Sequence, residues 1–353
     1  MRLKSFVAIV LCVVALPAVA DTAWDHWKIT AKHSKVENYL GRESLLLDDG
    51  AAWLDDANFQ DGVIEFDVAA SGAPGFHGLA FRAADHDNYE EVYLRSHLSD
   101  KPDATQYTPA FNAVWGWQIY TGPRFAQKVT IVPDRWIHVR VVVHAQRLEL
   151  SVDGQTVVFP QLIRPAAAGA VGFNVSLTPA HFANFVMKRG ENPPPEGGDG
   201  APDVAAPAGI VTRWRVSTTF SEKRLDSLDD LVRANWRDLT WDPLKPGTRG
   251  IVNLAMLRKL DGDRNTVFAA TTLHADEAKR ALLRFGFSDR VRVYLNGRPL
   301  YRGNDAFQTR DATFLGSVGL FDELILPLQR GDNELWFAVS ENFGGWAVTA
   351  QLP

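Results

Sequence analysis

Asn88-Tyr89-Glu90-Glu91-Val92-Tyr93-Leu94-Arg95-Ser96-His97 decides how this chain is read. Successive side chains of a strand point to opposite faces, so Tyr89, Glu91, Tyr93, Arg95 and His97 share one face while Val92 and Leu94 point the other way. The apolar set packs into an interior, and the polar and aromatic set is left to meet something polar. Flat rings beside charged donors and acceptors suit saccharides, whose C–H faces stack on aromatics while their hydroxyls need directional partners.

Outward from this stretch, strand-like runs cover 63–68, 79–83, 115–120, 136–144, 148–152 and 171–175, with almost no helical period. Asp153-Gly154 is a hairpin turn signal between 148–152 and 155–159. Residues 21–189 are therefore expected to form a β-sandwich. Hydrophobic periodicity then stops, and 190–208, with Pro193-Pro194-Pro195 and several glycines, reads as a linker. Residues 209–353 again read as strands, at 210–216, 251–256, 267–273, 282–287, 291–295, 324–328, 335–339 and 347–352, with Asn296-Gly297 as a hairpin turn. The best helical candidate is 221–235, where Leu225, Leu228, Leu231 and Val232 fall near helical spacing. The expected fold class is all-β, two β-sandwich domains joined by a Pro/Gly-rich linker.

The first twenty residues carry a basic head, an apolar run at 6–16 and the small-x-small pattern Ala18-Val19-Ala20, which reads as a removed secretory signal peptide. The expected location is secreted or periplasmic. Cleavage there removes Cys12, the one cysteine, so neither a disulfide nor thiol chemistry is expected. No later run is long and apolar enough for a membrane helix, and membrane insertion is not expected. With 46% hydrophobic residues, 11 tryptophans and 20 phenylalanines the chain can fill more than one core. A formal charge of −5 without a Lys/Arg cluster argues against a nucleic-acid partner.

The same sheet face is expected to hold Arg82, and from 115–120 either Trp115 and Trp117 or Gln118 and Tyr120, because these pairs point oppositely; alternation leaves that choice open. A solvated face with ordinary Glu and Arg pairs, worth only tenths of a kcal/mol each, is the alternative. Aromatics at two positions of one face favour a ligand groove. Glu65, Asp67, His138 and Arg140 form a second polar set, read as a plain solvent face. The stretch 98–112, with Tyr107, Pro109 and Phe111 as apolar anchors, reads as an ordered loop forming a lip on the groove. Asp85, Asp87 and Asn88 offer oxygen ligands of the kind calcium uses, but a simple turn is the preferred reading. Asp261-Gly262-Asp263 starts like a calcium loop, yet Thr266 and Thr272 stand where Gly and Glu are needed, so it reads as a hairpin tip. No metal or other cofactor is expected. Asn342, Gly344, Gly345 and Trp346 mark a bulge or tight approach, and Trp214, Trp236 and Trp241 read as core or interface residues.

These residues support a resemblance. Residues 59–68, Gly78-Leu79-Ala80-Phe81-Arg82 and 88–95 look like a concanavalin-A-like lectin/glucanase sandwich, and Arg135-Trp136-Ile137-His138-Val139 with 148–154 resembles its laminin-G-like version. The Phe-Arg then Tyr-Glu arrangement is similar to keto-disaccharide hydrolase-like domains, which implies work on sugars. The glucanase branch carries Glu-x-Asp-x-x-Glu, and the nearest match, Glu65-Phe66-Asp67, lacks the third carboxylate. That departure speaks against an ordinary retaining glucanase, whose two carboxyls stand about 5–5.5 Å apart. Residues 291–300, 326–335 and 341–346 resemble a galactose-binding-like jelly roll.

The expected function is a carbohydrate-binding protein. Tyr93 and a Trp stack on the sugar, Arg82 and Arg95 donate to hydroxyls or a uronate, and Glu91 accepts, with Tyr89 beside them. The alternative is a glycoside-cleaving enzyme with Glu91 or Glu90 as acid/base and His97 assisting; a second alternative is an extracytoplasmic protein-interaction module. Nucleophile-elbow, zinc-protease, phosphate-loop and dinucleotide motifs are absent from the sequence.

Overall fold

The computed structural model describes residues 19–20, 24–226 and 236–352. The leader reading falls almost wholly outside them, as does most of the helical reading at 221–235, whose described start, Glu222–Leu225, is one 3-10 turn. Apart from such short turns, every regular element among the described residues is a strand, and the sheet pairings are antiparallel.

One large sheet takes the strands in the order Gln155–Phe159, Arg147–Val152, Ile137–His144, Gly62–Ala70, Ala180–Arg189, Arg42–Phe59, Gly169–Ser176, Phe76–Asp85, Asn88–Leu94, Thr105–Phe111 and Val114–Trp115. The 18-residue strand Arg42–Phe59 makes it curl. Its first part pairs with Ala180–Phe182 and its second, from Gly50 onward, with Gly169–Ser176. The change of partner falls at Asp49 and Gly50, where Asp49 has φ 44° and a Cβ at Gly50 would sit 2.3 Å from the Ala31 backbone. The curled sheet encloses Leu45, Phe66, Leu79, Val92, Leu94, Tyr107, Phe173 and Phe182 in one apolar interior.

Three expectations along this sheet are corrected. The stretch 98–112 is a tight turn followed by a strand, Thr105–Phe111, buried throughout and paired with Asn88–Leu94. Pro109 points away from a strand reading, but it falls in a gap between the outer neighbours. Val114–Trp115 pairs with Ala110 and Phe111 while Ala126–Gln127 pairs with Thr105 and Gln106, so its missing N–H breaks no ladder bond there. The strand expected at 115–120 stops at Trp115. The chain turns because Ile119 N and Tyr120 N both bond back to Gly116 O, and only a glycine lets the Tyr120 ring lie against position 116. The strand at 88–97 ends at Leu94, and Ser96–Leu98 is a 3-10 turn.

In the C-terminal part, a six-stranded and a four-stranded sheet face each other across Val216, Val267, Phe285, Phe287, Val293, Leu326, Phe337 and Trp346. Trp214 lies in this interior, while Trp236 and Trp241 pack with Phe220, Phe268 and Trp336 on the other side of the larger sheet. The architecture is sandwich-like throughout.

The stretch 190–208 lacks regular structure but is tied along the first sheet. Arg147 donates to Gly198 O (2.7 Å), Arg124 to Ala201 O (2.9 Å), and Glu149 accepts from Glu196 N (2.9 Å). Gln118 makes a deeper connection. Its backbone N donates to Gly344 O (3.0 Å), and its wholly buried side chain donates to Leu315 O and accepts from Ser288 Oγ, both at 2.9 Å.

Candidate functional site

The sheet face carrying Tyr89, Glu91 and Tyr93 opens into a hollow of about 330 Å³. Phe76, Glu91, Tyr93, Thr108, Asn174 and Ser176 line it from four neighbouring strands; Trp115 and Trp117 form one wall, and Asp49 and Leu177 another. Phe343 and Gly344 come in from the C-terminal part. Parity places these side chains together, because Glu91 pairs with Ala80 and Thr108, and Gly78 pairs with both Tyr93 and Asn174. Val92 and Leu94 point into the interior, as alternation requires.

Glu91 is the chemical centre of the hollow. It is 5% exposed, and burial pushes its carboxyl up to about 7, against the pull of one hydrogen bond from Asn174 Nδ2 to Oε1 at 3.0 Å. Among the described residues Oε2 has no partner. The carboxyl folds over Gly78, where a Cβ would lie 2.3 Å from Oε1.

The aromatic walls are held from behind. Trp115 Nε1 donates to Tyr89 Oη (2.6 Å), which also accepts from Asn174 (3.2 Å). Tyr93 donates to Gln106 Oε1 (2.7 Å) and accepts from Arg95 Nη2 (2.9 Å), while burial pushes its hydroxyl up to about 12. Gln106 then donates to Trp117 O and Tyr120 O, at 3.0 and 2.7 Å, fixing the turn that presents Trp117. Trp117 meets Phe343 at 5.6 Å between centroids.

Of the residues expected at the site, Glu91, Tyr93, Trp115 and Trp117 line the hollow, and Tyr89 stands directly behind it. The open choice at 115–120 resolves to the two tryptophans. Gln118 is committed to Ser288 and Leu315, and the Tyr120 ring is buried with its hydroxyl accepting from Asn253.

Arg82 is turned away by a bulge between Phe81 and Asp85; with φ 50° it donates to Gln60 O, Asp61 Oδ1 and Ala145 O at the sheet edge. Arg95 stacks on the Tyr93 and Phe76 rings and pairs with Asp103 (2.9 Å), so it braces the wall rather than lining it. Donation to a uronate by these two arginines therefore has no geometric basis.

Glu90 points inward, where it accepts from Tyr107 Oη (2.6 Å) and Arg164 N (2.9 Å); burial also raises it to about 7. His97 leaves the face with the 3-10 turn, accepts from Gly75 N and sits edge-on to Phe76, behind the rim; burial and Arg95 lower its pKa.

The sequence reading missed Asn174, Thr108, Asp49 and Phe343. Asn174 had a signal, since Gly172, Asn174 and Ser176 alternate with Val171, Phe173 and Val175. The second polar set lies on the other layer: Asp67 pairs with Arg42 and is hydrogen-bonded to His138, and Glu65 pairs with Arg140. Asp85 is bonded to Asp87 N and Asn88, and Asp87 to Lys259, as in an ordinary turn. Asp261 and Arg264 bridge across a tight turn. Larger hollows of about 490, 860, 500 and 360 Å³ exist against the 190–208 stretch, beside Trp214, around His86 and beside Arg258, but none of them is lined by a buried carboxyl among the described residues.

No protein-family model matches the chain, and no curated protein matches it. Solved structures similar to it include a carbohydrate-binding module from Bacillus subtilis, at 17% identity and TM-score 0.35 over 45% of this chain and 93% of that one. A putative glycosyl hydrolase from Parabacteroides distasonis matches at 14% identity and TM-score 0.34, over 47% and 94% of the two chains. A Bacillus licheniformis β-glucanase matches at 13% identity and TM-score 0.32, over 47% and 92%. These are distant, low-identity likenesses, and they say nothing of ligand or reaction.

Proposed function

We propose that this protein acts on a carbohydrate held in the hollow, with Glu91 as the acid/base. The observation that carries the reading is a buried carboxyl, raised to about 7, in an aromatic-lined hollow. Near neutral pH such a group is protonated in a large share of molecules and can give its proton to a departing glycosidic oxygen, regaining one from solvent after the product leaves. Tyr93 and Trp117 supply ring faces for stacking, and Asn174 fixes the carboxyl. Asp49, on the opposite wall, is the other carboxylate lining the hollow and the candidate for activating a water. Anionic sugars are disfavoured, since among the described residues no Lys or Arg lines it.

A binding-only role is the second reading, favoured because among the described residues no second buried carboxyl lines the hollow. The two separate on one experiment: binding and turnover of a glycoside panel by the wild type, Glu91→Gln and Asp49→Asn. Catalysis by Glu91 predicts that Glu91→Gln binds within a few-fold of the wild type and loses about 10²-fold or more in kcat. Binding without product from any member of the panel retires the enzyme.

The same reading takes 21–189 as a lectin/glucanase-like sandwich, 190–208 as its linker, and 209–353 as a galactose-binding-like jelly roll. Two apolar interiors, one mostly from each part, support that division, with Ile251, Val318 and Ala347 reaching into the first and Phe111 and Val114 into the second. The leader-like pattern at 1–20 supports export to the periplasm or medium, which N-terminal sequencing of the mature protein tests.

A further inference from the structure

The hollow does not end at Trp117. Phe343 and Phe307, both from the C-terminal part, meet the Trp117 ring at 5.6 and 6.2 Å between centroids, inclined at 58° and 74°. Both are conspicuously open for phenylalanines, 57% and 43% exposed, and no core needs them. The Gln118 side chain and the Gly344 carbonyl beside this platform are already used, while the Trp117 indole N–H has no partner among the described residues. Gln118 donates its amide N–H to Leu315 O and accepts from Ser288 Oγ at its carbonyl, and Gly344 O accepts from Gln118 N. A second sugar ring here would find ring faces and few partners for its hydroxyls.

Resting on the saccharide reading above, we propose that the platform of Trp117, Phe343 and Phe307 is a second subsite. It takes a planar, apolar group carried by the sugar, an aromatic aglycone, and Phe343 and Phe307 determine that preference. The sugar ring lies over Glu91, and the aglycone extends across the seam onto rings supplied by the C-terminal part. Stacking on one or two such rings is worth about tenfold in affinity.

The test compares methyl and 4-nitrophenyl glycosides of the same hexopyranoses, with matching disaccharides, on full-length wild type and on Phe343→Ala/Phe307→Ala. Both side chains are exposed, and unchanged melting temperatures check the fold. The subsite predicts that the wild type binds the 4-nitrophenyl glycoside about tenfold more tightly than the methyl glycoside. The double variant then binds the two glycosides with equal affinity, within about twofold. Equal affinity for the two in the wild type, an aryl preference that survives the double variant, or a disaccharide bound more tightly than the aryl glycoside overturns it. Binding of no glycoside at all contradicts the saccharide reading itself, and the subsite with it.

Discussion

Asn174 donates to Glu91 Oε1 across 3.0 Å, reaching over Gly78 on the strand between them. This hydrogen bond favours the charged carboxylate while burial favours the neutral acid, and the balance leaves Glu91 near 7. Removing it with Asn174→Ala raises the Glu91 pKa further. The alkaline limb of activity, or the carboxyl ¹³C resonance of Glu91 followed against pH, moves to higher pH. A downward shift contradicts the assignment.

Gly78→Ala tests the same geometry from below. The added methyl would sit 2.3 Å from Oε1 and 3.0 Å from the Glu91 carboxyl carbon, so the carboxyl must move. Overpacking of this kind costs about 1–3 kcal/mol, and ligand binding in the hollow should fall more than stability does. Calorimetric unfolding and a binding titration on one sample separate the two effects.

Burial of Glu91 also shapes stability against pH. Its folded pKa, about 7, lies above the ordinary 4.5, so between these values the folded chain keeps a proton that the unfolded chain releases. Its contribution is full below pH 4.5 and is lost as pH rises towards 7. Glu91→Gln removes this loss. The melting temperature of the variant should match the wild type near pH 4.5 and exceed it by a few degrees at pH 8, corresponding to at most about 3 kcal/mol. Glu90 has the same sign, so the Glu91→Gln variant should still lose some stability across this window.

Gln118 joins the two parts of the chain through its side chain and backbone. Gln118→Ala leaves the buried Ser288 Oγ with only its 3.5 Å contact to Asp289 and removes the tie to Leu315 O, and should cost about 1–3 kcal/mol. It also loosens Phe343 against Trp117. Scanning calorimetry should show one transition in the wild type and a lowered or divided one in the variant. An unchanged trace means the seam does not depend on this residue.

Much of this site follows from period-two alternation. Glu91 and Tyr93 face the hollow, with Tyr89 behind it on the same sheet face, because Val92 and Leu94 are needed inside. The count fails where the backbone departs from a plain strand: at the Arg82 bulge, at the 3-10 turn carrying His97, and at Gly116, whose lack of a side chain lets Tyr120 fold back. Pro109 hid a central strand because its tolerance depends on a gap between partners distant in sequence. Phe343 could not be placed from local pattern, since what brings it to the hollow is the fit of Gly344 against Gln118. A Cβ at 344 would lie 2.4 Å from that side chain.

The most direct measurement is a crystal structure of Glu91→Gln with a bound aryl glycoside. The sugar ring should stack between Tyr93 and Trp117, with an oxygen within hydrogen-bond reach of the residue 91 amide and the aglycone against Phe343. Sugar density elsewhere, such as on the opposite layer around Tyr39 and Trp136, with the hollow empty, would contradict the account.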